Sequence, residues 1–365
     1  MNKDSKELLT AKPLQILIKL SLPAILGMIV IGLYPLMDGI FAGQILGEKA
    51  MTAVGIATPF TYINTGIATL IGVGSASLLS RAIGEGNQKI IDKVMGNLCF
   101  WILTLSTIVT VLGILFCQQL LSVFGAKGEL LNLSTRYLRI IFIGSIFVNF
   151  AQAANMVMRG EGLMKRAMLI MGIGAGINIL LDPILMILFR ERGIEGAAVA
   201  TITAQFVQAI FTLWYFKKKS KVVKIGIIRK EGDITVDMFS VGVSAMLMQV
   251  LTIIQQSFLY SQAFRYGGET SAAIIIELIA KTLNIFIAYG VMIMTITFFQ
   301  AIGDGKTAGI LVMLRQIILF IPAVILLPRM IGAQSLWYVL PIIDGVVVLL
   351  GIQRYFMAVK KMEKK

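Results

Sequence analysis

"RAMLIMGIGAGINILLDPILMILF", residues 166–189, decides what kind of protein this is. Between Arg166 and Arg190 the run holds a single charge, Asp182. A helix crosses the hydrocarbon core of a bilayer with about 20 mainly apolar residues, and this run is long enough. A carboxylate at that depth costs several kcal/mol and is seldom there without a task. Asn178 stands four residues before Asp182, so a helix places both on one face. The run therefore reads as a membrane span carrying a polar site.

The rest of the chain agrees. It is 365 residues long, 57% hydrophobic and 14% charged, with a mean hydropathy of +0.87. Soluble domains carry about 25% charged residues, and no polar stretch here is long enough to form one. Ten apolar segments can be marked: 14–41, 52–80, 94–121, 131–158, 166–189, 195–216, 237–264, 271–301, 307–328 and 333–357. Between them lie breaks such as "RAIGEGNQK" (81–89), "RGEGLMKR" (159–166) and "RERGIEG" (190–196). The longest is "KKKSKVVKIGIIRKEGD" (217–233), which separates six segments from four. The expected organisation is a six-helix lobe over 1–220, a cytoplasmic linker over 221–235 and a four-helix lobe over 236–365.

Histidine is absent, which excludes His-based metal sites and catalytic triads. Cys99 and Cys117 share one segment, about 27 Å apart at helical rise, and cannot bond to each other. The polar opening "MNKDSKELLTAKPLQ" and the long run after it are unlike a cleaved signal peptide. "MGIGAG" (171–176) lacks the Lys-Ser/Thr of a phosphate cradle, and its Gly172 and Gly176 read as a close-packing pair of helix glycines. No ATP site or cofactor motif is visible, and the chain does not read as an enzyme.

Lysine and arginine set the orientation. With the N-terminus inside, the loops assigned to the cytoplasm hold 23 of them and the outer loops 7. Both termini are therefore expected in the cytoplasm. The net charge of +14 reads as this bias together with contact to anionic lipids, and no nucleic-acid motif accompanies it.

Two short matches suggest an internal repeat, a device common in transporters. "GEGLMKRAM" (160–168) parallels "AIGDGKTAG" (301–309), aligning Gly162 with Gly303 at a shift of 141. "LGEKAMTAV" (46–54) parallels "GGETSAAI" (267–274) at a shift of 221. The second half thus reads as a copy of the first without its second and third helices.

The stretches beginning "LPAILGMIVIGLYPLMDGIFAGQ" at Leu22 and "SASLLSRAIGEGNQKIIDKVMGN" at Ser75, with "INILLDPILM" and "GIEGAAVATITAQ", resemble the multidrug and toxic compound extrusion (MATE) family. The resemblance covers nearly the whole chain and is most specific over residues 15–215. It implies an all-α, polytopic, two-lobed helical bundle in the cell membrane. It also implies antiport, in which cationic, often aromatic drugs leave in exchange for sodium ions or protons. Family members have twelve helices in two lobes of six; this chain has ten segments, six plus four. The shortened lobe implies an inactive or leaky monomer, or self-association in which another copy fills the gap. Two other readings stand beside the exporter: a lipid-linked oligosaccharide flippase of the same superfamily, and an inactive truncated remnant.

Helical rise puts Asp182 about 24 Å beyond Arg166 and Asp38 about 28 Å beyond Lys19, in the same outer half of the first lobe. Thr201, on the segment running back inward, falls at a matching depth. The four positions Asp38, Asn178, Asp182 and Thr201 match those that form the coupling-cation site in the MATE family. Their oxygens suit a small hard cation such as sodium, and the two carboxyls suit a proton equally. Thr203 is the fallback for Thr201. Asn149, Gln152 and Asn155 form one polar helical face that could line the substrate cavity or hold helices together, and Gln256 is a further cavity candidate. Glu277 and Lys281 are spaced for a helical ion pair, and Asp344 is a mid-span carboxyl with no partner evident from sequence.

Overall fold

The computed structural model describes residues 37–123, 126–220, 222–267, 286–332 and 335–363. Most of the first expected segment and the first half of segment 271–301 lie outside the described residues. So do Glu277, Lys281, Gly268 and Glu269, and the side chain of Gln256.

Among the described residues the chain is helical throughout, without strands. Residues 37–41 are helical and pass into a π-helical turn, Ala42–Leu46. Then follow α1 (Glu48–Glu85), α2 (Gln88–Val123), α3 (Gly128–Ile143), α4 (Ser145–Gly160), α5 (Met164–Leu188) and α6 (Gly193–Trp214). After a second π turn, Tyr215–Lys219, come α7 (Gly232–Gly267), α8 (Phe286–Ala301) and α9 (Gly305–Met313). A third π turn, Leu314–Ile318, leads to α10 (Phe320–Ile331) and α11 (Leu336–Glu363). Seven described helices are long and apolar enough to span a membrane, or eight if the bent pair α3–α4 counts as one span. Each apolar segment that falls within the described residues is matched by a helix or such a pair. This is a multi-pass membrane protein.

The bend was not expected. Segment 131–158 reads as one continuous span, yet α3 and α4 meet at 55°. A Cβ on Gly144, between them, would stand 2.5 Å from the Ile202 side chain on α6, so only glycine allows that approach. The Phe142 carbonyl at the bend accepts a hydrogen bond from the Thr110 hydroxyl of α2 at 2.7 Å. Backbone groups loosened within a span need such a partner, because lipid offers none.

The turns close as their glycines dictate. Gly162 has φ 83° and Gly303 φ 84°. In both turns the next residue's N–H reaches back five residues, Leu163 to Met158 and Asp304 to Phe299. The stretches aligned at a shift of 141 therefore share one backbone geometry. Gly86 ends α1 in the same way, so the geometry belongs to this kind of helix stop and not to the repeat alone. Pro183 does not break α5, which continues through it to Leu188.

The chain divides into two compact units, Met1–Met238 and Phe239–Lys365. One core cluster of the first unit joins Ala53, Ala57 and Phe60 of α1 to Leu121 of α2, Phe142 of α3 and Ala197 of α6. Burying each large side chain there contributes about 1.5–3 kcal/mol. Alanines and glycines bring the helices close: a Cβ on Gly196 would stand 2.3 Å from the Leu185 carbonyl, so α6 lies tight on the end of α5. Gly172 and Gly176 do not pack as their spacing suggests, since space is open beside both. The close contact falls on Gly174, against Gln208 of α6.

In the second unit Phe299, Leu311, Phe320, Val324 and Val347 form a core shared by α8, α9, α10 and α11. Asp344 is not alone there. Arg315, placed by the third π turn, donates from Nε to its carboxylate at 2.7 Å, and both side chains are largely buried. Gln316 beside it donates to the Met248 carbonyl and the Thr252 hydroxyl of α7.

Candidate functional site

The α5–α6 hairpin positions three of the four expected cation-site residues. On α5, Asn178 Nδ2 donates to Asp182 Oδ1 at 3.0 Å, the contact that the four-residue spacing sets up. The same amide lies 3.4 Å from Thr201 Oγ1 on α6. Thr201 spends its hydroxyl proton on the Ala197 carbonyl one turn back, at 3.1 Å, which leaves its oxygen as an acceptor. Thr203 bonds its own helix, to Val199.

Asp38 reaches this group from the helical turn before Ala42–Leu46. Its carboxyl lies within hydrogen-bonding reach of the Asp182 carboxyl. Its Oδ2 accepts from the Tyr137 hydroxyl of α3 at 3.2 Å. Tyr137 is a residue that sequence reasoning missed. It lies 99 positions from Asp38, and nothing in "LSTRYLRII" sets its hydroxyl apart from an ordinary buried tyrosine.

Asn178 and Asp182 are fully buried, and Asp38 and Thr201 are 6% and 7% exposed. Asp38 Oδ1, Asn178 Oδ1 and Asp182 Oδ2 are buried oxygens with no donor among the described residues. Burying an oxygen without a donor costs about 1–3 kcal/mol, more if it is charged. Two bare carboxylates this close in a dry bundle would also repel each other. A shared proton or a small cation relieves both penalties. Among the described residues no three Cys, Asp or Glu side chains gather.

The candidate cavity residues are placed as follows. Asn149, buried on α4, donates to Ser106 of α2 at 2.8 Å and to Asn64 of α1 at 3.4 Å, tying three helices together. Asn155, also buried, donates to the Ala167 carbonyl of α5 at 2.7 Å. Gln152 is half-buried. Asn64, which Asn149 meets, was not singled out from sequence.

A further carboxyl lies outside the spans. Glu161, in the turn between α4 and α5, accepts from Ser220 at 3.2 Å and from Tyr215 at 3.5 Å, with the Val223 N–H as a third donor. Burial pushes its pKa up to about 7, against the opposing pull of these donors and of Arg166. Arg166 in turn stacks over the Tyr215 ring. Glu161 therefore fastens the α4–α5 turn to the beginning of the linker.

With two units of apolar helices and a paired-carboxylate site in the first, known folds can be compared. A solved outward-facing multidrug resistance MATE family transporter of the MOP superfamily matches at TM-score 0.87 and 25% identity, with 100% of both chains covered. The fold is that of the MATE transporters. The MATE multidrug transporter DinF-BH, solved as a complex, matches at TM-score 0.83 and 26% identity, over 95% of this chain and 96% of that one. The MatE family model matches residues 23–184, a range that includes Asp38, Asn178 and Asp182. The multidrug export protein MepA of Staphylococcus aureus is 29% identical over 233 residues, covering 63% of this chain and 51% of MepA. The chain thus spans about half the length of the curated relatives it matches.

Proposed function

We propose that this MATE-like chain is a secondary active exporter. In this reading it sits in the cell membrane with both termini in the cytoplasm and moves cationic, aromatic drugs outward against an inward flow of sodium ions or protons. The observation that carries the reading is the buried Asp38–Asp182 pair with its donor-less oxygens. The ion is held by Asp38, Asn178, Asp182 and Thr201, with Tyr137 orienting Asp38. Its binding shifts the equilibrium between inward- and outward-facing states only by as much as it prefers one of them. Gln152 and Gln256 are proposed to meet the drug, along with the Asn149–Asn155 face of α4. A flippase for anionic head groups would want cations inside its spans. In the fourth segment Arg139 is exposed and Arg136 is paired with Glu195 at 2.6 Å, so neither offers a free cation to an anionic head group, which supports the exporter.

The test is dye uptake into proteoliposomes under an imposed sodium or pH gradient, with the protein's mass in detergent measured alongside. The gradient that drives uptake names the ion, and the mass tells whether one chain suffices or a second copy completes the shortened lobe. Asp38→Asn and Asp182→Asn should each abolish gradient-driven uptake with near-normal expression. Full transport by both variants would remove the site assignment. A wild-type protein that binds the ion but moves no dye would identify the inactive remnant.

A further inference from the structure

Residues 222–231, between the second π turn and α7, form no helix, yet they are held in place. The Ile227 carbonyl lies so close to α2 that a Cβ on Gly96 would stand 2.2 Å from it. Asn97 accepts from the Glu231 N–H at 3.0 Å and from the Thr235 hydroxyl at 3.0 Å. Lys93 reaches the Glu231 carboxylate at 3.0 Å, and Arg229 pairs with the same group. Lys230 stands over the Trp101 ring. Through Val223 and Ser220 the other end is fastened to Glu161. The linker therefore runs beside the turns that follow α1 and α4, on one face of the first unit.

The depth of that face follows from α2. Its 36 residues span about 54 Å at helical rise, against a hydrocarbon core of about 30 Å, so about 12 Å overhangs at each end of a centred helix. Gly96 is eight residues from Gln88, again about 12 Å, which puts the linker at the boundary between head groups and acyl chains. Exposed Trp214, at the end of α6 with Lys219 over its ring, marks the same level from another helix. At that level Ile227 is 80% exposed and Ile228 49%. Such exposure would be wasteful in water and is expected against lipid. Lys217, Lys218 and Lys224 are exposed and pair with no carboxylate among the described residues.

We propose that residues 217–220 and 222–230 form an interfacial anchor that binds anionic phospholipid head groups through Lys217, Lys218 and Lys224, with Ile227 and Ile228 seated at the acyl boundary. Anionic lipid attracts lysines near the surface, and partly buried apolar side chains fix the depth. The proposal rests on the membrane-spanning helices and not on the transport reading.

The test labels Ile227→Cys with an environment-sensitive maleimide. Cys99 and Cys117 are buried, so the label goes to the introduced thiol. The full chain is placed in nanodiscs of phosphatidylcholine with increasing phosphatidylglycerol, and emission is read with brominated lipid and with aqueous iodide as quenchers. The expected result is a blue shift and bromolipid quenching that rise with the anionic fraction. In Lys217→Gln/Lys218→Gln/Lys224→Gln the response should weaken about five-fold per lysine, roughly a hundred-fold in all. Emission that ignores the anionic fraction overturns the head-group assignment, whether or not bromolipid quenches it. Strong iodide quenching in every lipid overturns the anchor and gives the surface to a soluble partner. Retention of the full response by the triple variant removes the three lysines as its cause.

Discussion

Raising the pH from 5 to 8 should weaken the join between the α4–α5 turn and the linker, and Glu161 sets the size of the effect. Desolvation raises the Glu161 pKa from 4.5 to about 7, although Ser220, Tyr215, the Val223 N–H and Arg166 all favour the charged form. Below pH 4.5 the carboxyl is protonated in both folded and unfolded chains, and its contribution to stability is fully present. As the pH rises from 4.5 to 7 the unfolded chain gives up its proton while the folded chain holds one, so stability falls, and the loss is complete just above 7. At 1.36 kcal/mol per pH unit the whole interval is worth about 3 kcal/mol. Glu161→Gln keeps the size of the side chain and cannot titrate. Unfolding free energies in mixed dodecylmaltoside–SDS micelles, taken at pH 5, 6, 7 and 8, compare the two proteins while the titrations they share cancel. The variant should gain on the wild type by about 2–3 kcal/mol across that range, mostly before pH 7. Curves that stay parallel would refute the buried-carboxylate account of this turn.

Gly196→Val would place its Cβ 2.3 Å from the Leu185 carbonyl, where ordinary contact needs about 3.5 Å, so the α5–α6 hairpin must open by about 1 Å. Thermal stabilisation by the coupling ion should vanish in this variant and persist in Gly172→Ala, which faces open space; equal behaviour of the two would sink the claim that hairpin closure sets the Asn178–Thr201 contact. In the second unit, Arg315→Met or Asp344→Asn leaves one buried charge unpaired and should cost about 3–5 kcal/mol. The double variant Arg315→Met/Asp344→Leu should recover most of that, and chemical unfolding of the three proteins decides. Reporter fusions after Phe216 and at Lys365 should both read cytoplasmic, and an external signal at either reverses the assigned topology.

Spans were legible in the sequence because a bilayer demands some 20 apolar residues from any helix that crosses it, whatever its neighbours. The Asn178–Asp182 contact was legible for a similar reason, since about four residues make one helical turn. Contacts between distant segments were not. Tyr137 meets Asp38 only because α3 packs where it does, and Asp344 finds Arg315 through a π turn that no spacing rule announces. The 55° bend at Gly144 hides inside an unbroken apolar run because its cause, Ile202, belongs to another helix. The glycine pattern misled in an instructive way. Gly172 and Gly176 have the spacing of a packing pair, but the partner helix lies on the side of Gly174, and spacing alone cannot say which face is occupied.

The elbow between α3 and α4 has a mechanical consequence. A straight rod of this length would act as a lever, and any tilt at its Tyr137 end would swing the Glu161 end by a comparable arc. Broken at Gly144, with the Phe142 carbonyl handed to Thr110, the rod becomes two short arms on a pivot. The proposed ion site meets one arm through Tyr137 and the linker meets the turn at the end of the other through Glu161, so a shift at Asp38 need not be carried along a single rigid rod to the linker.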